Sequence, residues 1–588
     1  MAYSESKSKN GKETQSDTEL LTELDQWIRA DLEHPTWISW RKNALKCFQY
    51  EENDQWTKAE LAELKIRGQP PTVNNQISVT INRLVGQFVK IKTRVGYRGR
   101  NAPEDQELAD ALTDTLLYIR QSNSLEFEEV EMAHNGFTGG FGCLETYVEF
   151  DDVGQPEIRV RSEDPFCLFP DAYSRRYDWN IDAQRISRAK WMDVKDAQEM
   201  WPAKATEIRA IAYENFLGLL GSVDDFKNDN YVDSKSHRVR PFEVWYKKKI
   251  KETICLFDDG SIADHQEMTL KAPDGSTRPI TAKEIKELQK TVEYREIDRL
   301  NHKMFCAIFL SGVLLEHKEV DRKWFPFVPY FAYRKKSGEP YSLILLALPM
   351  QDAINKRESK ALALLINNQV IMEENAVADE NELAVEKSNP AGILKVRPGY
   401  FEKFKLNDNI ELAMTQFNMH NQGKVDFRHI TGVNPDALGE PSEVRSGVGI
   451  ARKTAMTDLI IAPLYDNFRR TRILLARNIL ELVQKYYTEE KLFYITDDLK
   501  KVKAISLNKR QADGSILNDV KQGLYDVTAE DMPDITTLNQ EQVQIIGQIL
   551  PQLLPLPHGS TWAKRIIQMS DLRNKDEFIK EIEAETKA

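Results

Sequence analysis

Two regions of β-type alternation, 141–333 and 491–530, flank a long stretch whose apolar residues recur at helical spacing, and this order constrains the fold more than any other feature. A strand region that breaks off, gives way to helices and resumes predicts one sheet-containing domain, split in sequence. The strand signal is clearest in CLETYVEFDDVGQPEIRVRSEDP, from Cys143, where apolar and polar residues alternate on both sides of a turn at 154–156, as in a β-hairpin. It returns in FEVWYKKKIKETICLFDDG from Phe242 and, late in the chain, in KLFYITDD, KVKAISLNK and GLYDVTAED.

Helical spacing dominates residues 20–140. A first face runs through Leu21, Leu24 and Trp27/Ile28, a second through Leu61 and Leu64, and Gly68, Pro70 and Pro71 end that run. Further helices are expected over 73–92, 104–122, 194–220 and 281–290, with a strand and turn at KTRVGYRGRNAP between the first two. A long helix starts near Tyr341 and passes Leu365, and a strand-like excursion follows at NPAGILKVRPG (389–399). Residues 409–487 read as nearly continuous helix, broken by the Gly- and Pro-containing segment 431–449, and a helical tail begins near Asn539. The expected class is α+β, predominantly helical.

The length of 588 residues suits several domains or one large elaborated fold, and 24 Phe, 20 Tyr and 10 Trp supply a substantial core. With 92 acidic against 80 basic side chains, the net charge of −12 argues against a surface that coats phosphate backbones generally. The longest nearly uninterrupted apolar stretch, 341–350, has half the length of a membrane span and contains Ser342 and Pro349, so no membrane association is expected. Residues 1–19 are polar throughout and read as a disordered tail without a targeting signal. Cys47, Cys143, Cys167, Cys255 and Cys306 are widely spaced and odd in number, which points to structural thiols in a reducing compartment.

Motifs that place reactive groups are missing from the sequence: there is no GxxxxGK[ST], HExxH or GxSxG. The glycine cluster NGFTGGFGCLE (135–145) lacks a following Lys and leads into a strand, so it reads as close backbone packing rather than a phosphate cradle. His420 and His429 are not at metal-ligand spacing, and the pairs Asp151/Asp152, Asp224/Asp225, Asp258/Asp259 and Asp497/Asp498 sit at turns. No metal, cofactor or catalytic residue is expected. One basic island stands out: residues 445–477 hold seven cations (Arg445, Arg452, Lys453, Arg469, Arg470, Arg472, Arg477) against Asp458 and Asp466, 7 − 2 = +5. Such an island serves as a solvated helix face, pairs with a neighbouring subunit's acids, or touches a polyanion.

Four strings, in order, resemble the portal (head-to-tail connector) proteins of tailed bacteriophages, of the type found in short-tailed Salmonella-phage-like viruses. They are QWTKAELAELKIRGQPPTVNNQISVTINRLVG from Gln55; EPYSLILLALPMQDAINKRESKALALL, with Gln351, Asn355 and Ser359; ITGVNPDALGEPSEVRSGVGIARKTAMTDLIIAPLYDNFRRTRILLARNILELVQKYY; and GLYDVTAEDMPDITTLNQEQ. In the third, Gly432, Gly439, Ser446, Gly447, Asp466 and Asn467 fall on the family pattern. Met532 stands where a Gly before the Pro is usual, and Ala332-Tyr333 replaces a common Gly; both affect local turns.

The resemblance implies a non-enzymatic ring, typically of twelve subunits, at one capsid vertex of the virion, assembled in the host cytoplasm. DNA enters through it, driven by terminase, and later leaves. Implied partners are other copies of the chain, the terminase large subunit, tail adaptors, major capsid and scaffolding proteins, and double-stranded DNA sliding through without sequence preference. The alternatives are a capsid or tail-adaptor protein, or a nucleotide-dependent packaging subunit. The implied plan is a wing at 20–337 and 491–533, a stem at 338–366 and 410–431, a clip at 367–409, a tunnel loop at 432–450, a helix from channel to wing at 451–490, and crown helices at 534–588. Lys395 and Arg397 of the clip are then available to terminase or an adaptor, or pair with a neighbouring clip. Arg445, Arg452 and Lys453 become cations beside the DNA path.

Overall fold

Close backbone contact at the glycine cluster sets the centre of the molecule. Helix Leu125–Gly139 ends on Gly140, whose φ of 86° lies in the left-handed region, and strand Phe141–Phe150 starts at once. A Cβ at Gly136 would stand 2.2 Å from the Tyr330 ring, and one at Gly142 2.2 Å from the Met132 carbonyl oxygen. The strand pairs on one edge with Pro156–Glu163, forming the expected hairpin, and on the other with Phe327–Phe331. Asp151 shapes the hairpin turn: its carboxylate accepts the N–H groups of Val153 and Gln155.

The computed structural model describes residues 17–432 and 447–530, apart from 91–93, 100–103, 215–231, 234–235, 259, 265–268, 272–276, 282–283, 286–287, 289–291, 367–368, 389–391, 408–409, 497–501, 511–515 and 518–524. Among them helical residues outnumber strand residues, in an α+β fold. The tail call at 1–19 falls almost entirely outside them, as do the crown at 534–588 and Asp224/Asp225 and Asp497/Asp498.

A second sheet is built on the long strands Phe242–Phe257 and Tyr294–Leu310, antiparallel to each other over their whole common length. Helix Asp17–Leu32 lays Leu20, Leu24, Ile28 and Leu32 on this sheet, against Phe169, Phe242, Val244 and Phe309. The buried face therefore starts at Leu20 rather than the expected Leu21, because two adjacent leucines leave the phase of a short helix ambiguous. The expected helix 194–220 is two shorter ones, Val194–Met200 and Ala205–Glu214, separated at Pro202.

The late strands correct one expectation. Among the described residues they do not extend the early sheets: Lys491–Thr496 pairs with Val502–Leu507, and Tyr525–Glu530 pairs with Arg94–Gly99 near the start of the chain. Alternation reports that a strand is half-buried, not which strand lies beside it. The split domain is instead joined through a shared core. Leu84, Phe88, Phe137, Leu144 and Tyr330 belong to one apolar cluster with Ile461, Phe468, Ile479, Tyr487 and Phe493. The 40-residue helix Gly447–Tyr486 supplies most of the late contribution. Its Leu464 carbonyl accepts from Tyr330 Oη (3.2 Å), Thr471 Oγ1 donates to the Pro329 carbonyl (2.9 Å), and Asn467 Nδ2 donates to the Ala332 carbonyl (3.1 Å).

Candidate functional site

Two long helices, Leu343–Ile366 and Ile410–Thr431, leave the core side by side and antiparallel. Near the core, Phe427 shares an apolar cluster with Ile344, Ala347 and Leu348. Further out, His420 Nδ1 lies 3.2 Å from the Ile354 carbonyl oxygen and Arg357 donates to the Met419 carbonyl (2.8 Å). At Gly423 even a Cβ would stand 3.2 Å from Ile354, so a larger residue would push the helices apart. Gly432, with φ of 68°, ends the second helix in the left-handed conformation that favours glycine.

Burial in the second helix follows a single seam: Ala413, His420, Gly423, Phe427 and Thr431. At about 100° per residue, Met414 and Phe417 fall to one side of that seam and Leu412 and Met419 to the other. All four are exposed, Met414 by 61%, Phe417 by 52%, Leu412 by 58% and Met419 by 44%. Two apolar flanks on opposite sides of one helix are an uncommon surface for a monomer.

Where the first helix leaves the core, side-chain amides tie it to the N-terminal helices. Gln351 Nε2 donates to the Asn74 carbonyl (2.8 Å) and to Asn355 Oδ1 (3.0 Å), while Gln351 Oε1 accepts the Gln76 N–H (3.0 Å). Asn355 Oδ1 also accepts the Asn74 N–H (3.1 Å), and its Nδ2 donates to Gln55 Oε1. Gln55 in turn donates to the Tyr50 carbonyl (2.7 Å). Gln351, Asn355 and Ser359 are all buried, one turn apart on one face. This satisfied amide network fixes both the start of helix Gln76–Lys90 and the direction of the 343–366 helix. Ser359 stands apart from it, its hydroxyl without a hydrogen-bond partner among the described residues.

At the far end of the two helices lies a small knob. Strand Gln369–Met372 pairs with Phe404–Asn407, and helix Glu380–Ser388 lies against residues 393–395, where Glu386 accepts the Ile393 N–H (3.1 Å). The excursion at 389–399 is not the strand its sequence suggests. Of the described part, residues 392–397 belong to no strand, and Pro398 at their end has no N–H to give a ladder. The Arg397 N–H donates to the Ala376 carbonyl (2.9 Å) and its side chain is exposed. Lys395 is exposed too, and its Nζ lies 3.4 Å from the Glu382 carboxylate of the same chain.

The basic island divides. Arg445, Gly439 and Ser446 lie outside the described residues; Gly447 opens the long helix, and Arg452 and Lys453 lie within its first two turns. Arg470 lies over the Tyr177 ring, 4.9 Å from its centroid, and Arg472 is a core residue. Its guanidinium and that of Arg120 both grip Glu129, with Arg472 Nη2 2.7 Å and Arg120 Nη1 2.8 Å from the carboxylate. Burial pushes the Glu129 carboxyl up, but the two guanidinia overrule it and hold it down at about 2. Asp466 is exposed, while Asn467 binds the Ala332 carbonyl as described. Glu129 and Arg120 carry no motif signal. Gln55 and Asn74 lie inside a string that the family resemblance marks, without an indication of their role.

The described residues thus form a split core carrying a projecting helical hairpin, and no cluster of His, Cys, Asp or Glu fit for a metal occurs among them. The chain belongs to the phage portal proteins: the family described as "Phage P22-like portal protein" matches residues 26–588. This is a family of structural head-to-tail connectors. The chain is 22% identical over 77% of its length to a portal protein of Helicobacter pylori bacteriophage KHP30, and 19% identical over 82% to one of Acyrthosiphon pisum secondary endosymbiont phage 1. These matches span 65% and 68% of the relatives' own lengths. No described helix is long and apolar enough to cross a membrane.

Proposed function

We propose that the chain is one subunit of a closed ring of twelve at a capsid vertex, the channel through which terminase drives DNA in and from which it is ejected. The two apolar flanks of helix 410–431 carry this reading. A subunit in a head-to-tail ring meets one neighbour on each side through different faces, and a hairpin in such a ring needs a sticky surface on both. In this reading the paired helices are the stem, the knob is the clip that receives terminase and then the tail adaptors, and 432–450 is the tunnel loop. The two sheets with their N-terminal helices form the wing. Arg445, Arg452 and Lys453 lie beside the passing DNA, few enough that it slides.

Light scattering and negative-stain microscopy of the purified protein test the proposal. The expected particle is a ring of about 810 kDa, twelve times 67.8 kDa. Leu412→Asp combined with Phe417→Asp places a charge on each exposed flank and should leave a folded monomer. A wild-type protein that stays monomeric at all concentrations, or a double variant that still closes rings, would overturn it.

A further inference from the structure

The long strand pair of the second sheet is bare over part of its length. Strand 185–189 flanks Phe242–Phe257 only up to Tyr246, and strand 262–264 flanks it only from Ile254. On the other side, strand 313–320 reaches no further than Met304. Between them, rungs 248–253 and 298–303 form a two-stranded ribbon whose edges pair with no other strand among the described residues.

That ribbon carries Lys248, Lys249, Lys251, Arg299 and Lys303 against Glu252 and Asp298, 5 − 2 = +3, in a chain of net −12. The register sets Lys248 directly opposite Lys303 and Lys249 opposite His302. The like charges across the Lys248–Lys303 rung are destabilising, whereas burial and the neighbouring lysines push the His302 imidazole down, towards its neutral form. Lys303 and Lys251 have Glu319 and Asp298 beside them, at 2.8 and 2.7 Å. Lys248 and Lys249 are exposed, and among the described residues no carboxylate pairs with either. Because side chains alternate along a strand, Lys248 with Lys303 and Lys249 with His302 project from opposite faces. The ribbon is therefore positive on both sides.

We propose that this ribbon is a sequence-independent binding surface for duplex DNA outside any channel. A ribbon positive on both faces suits two walls of phosphate, and the major groove of B-DNA, about 12 Å wide, admits a two-stranded ribbon. An acidic protein surface would engage one face and leave the other unused. Lysine is a point charge without base-reading geometry, which fits contact with backbone rather than sequence. Lysines at an open sheet edge also discourage edge-to-edge aggregation, and the sign of the charge separates the two roles.

The test is a mobility shift of the full-length protein with covalently closed circular duplex, which cannot thread a preformed ring. Wild type should retain the circles with a strong salt dependence. Each lost phosphate contact lowers the log–log salt slope by about 0.9, which amounts to about 8-fold at 0.1 M salt and about 60-fold for two. Lys248→Glu with Lys249→Glu keeps the edge charged and soluble yet should lose that factor. Failure of wild type to retain the circles, equal retention by the double variant, or displacement of the circles by an equal charge of polyglutamate would each overturn the inference. Light scattering on the same samples reports ring formation separately, so wild-type rings that fail to retain the circles refute this surface and not the ring.

Discussion

Replacing Glu129 by Gln keeps the shape of the side chain and removes the charge that two guanidinia share, Arg472 buried and Arg120 partly exposed. Glu129 is 1% exposed and Arg472 7%. Glutamine can still accept at one oxygen, but its amide presents N–H groups to guanidinium donors, so the buried Arg472 and the partly exposed Arg120 lose charge compensation. Breaking a buried pair from one side costs about 3–5 kcal/mol. The depressed carboxyl implies a cost of similar size. The Glu129 carboxyl is held at about 2 against an ordinary 4.5, and at about 1.4 kcal/mol per unit this is about 3 kcal/mol. The carboxyl is depressed in the folded chain, so the stabilisation is complete above pH 4.5 and lost as pH falls towards 2. Denaturant titration of the ring-defective double variant, followed by tryptophan fluorescence at pH 7 and pH 3, measures both. Glu129→Gln should lower stability at pH 7 by about 3 kcal/mol and flatten the acid limb. Glu129→Gln with Arg472→Met should recover part of the loss, because an apolar side chain leaves only one guanidinium to compensate. A change below about 1 kcal/mol at pH 7 would refute the account.

Two further outcomes follow from the packing. Gly136→Ala puts a methyl group into the Tyr330 ring, which is fully buried and held by its bond to the Leu464 carbonyl; overpacking of at least about 1–3 kcal/mol should appear as a lowered melting temperature, and wild-type melting would contradict the close approach. Asn355→Leu strips partners from Gln351, Gln55 and the Asn74 N–H, at about 1–3 kcal/mol for each buried group left unsatisfied. Amide hydrogen exchange over 70–76 should then quicken, while exchange in the central sheet stays slow; unchanged protection at 70–76 would remove the network's role.

Local geometry was legible where one residue type has one physical use. The 141–163 hairpin, the 104–122 helix and the glycine packing at 136–142 all rest on short-range rules of alternation, periodicity and a missing Cβ. Partners were not legible. Lys491–Thr496 and Tyr525–Glu530 alternate like the early strands, yet each found a partner that no local pattern names. Arg472 looked like one more cation of a basic island, because the acid that claims it is 343 positions away on another helix. Gln351, Asn355 and Ser359 were visible as a family spacing, and their shared face follows from that spacing, but Gln55 and Asn74 became part of the site only through the fold. The apolar flanks of helix 410–431 also escaped, since a helix with apolar residues on several sides reads as buried until its neighbours are known.

The amide network and the split core together explain how one chain can hold a projecting hairpin at a fixed angle. A pair of helices packed only on each other would swing about its attachment. Here the first helix is locked at Gln351 and Asn355 to the loop that starts helix Gln76–Lys90, and the second returns through Phe427 to the same apolar cluster. Helix Gly447–Tyr486 then binds the strand Phe327–Phe331, which lies just ahead of the hairpin in sequence. Entry to and exit from the projection are thus anchored on a single rigid sheet. The polar anchors also have direction: an amide bonded at both ends tolerates little rotation, whereas apolar contacts alone permit sliding. In the proposed ring, a subunit that must present a different flank to each of two neighbours needs that fixed direction, because an angular error in each copy would accumulate around the ring and prevent closure.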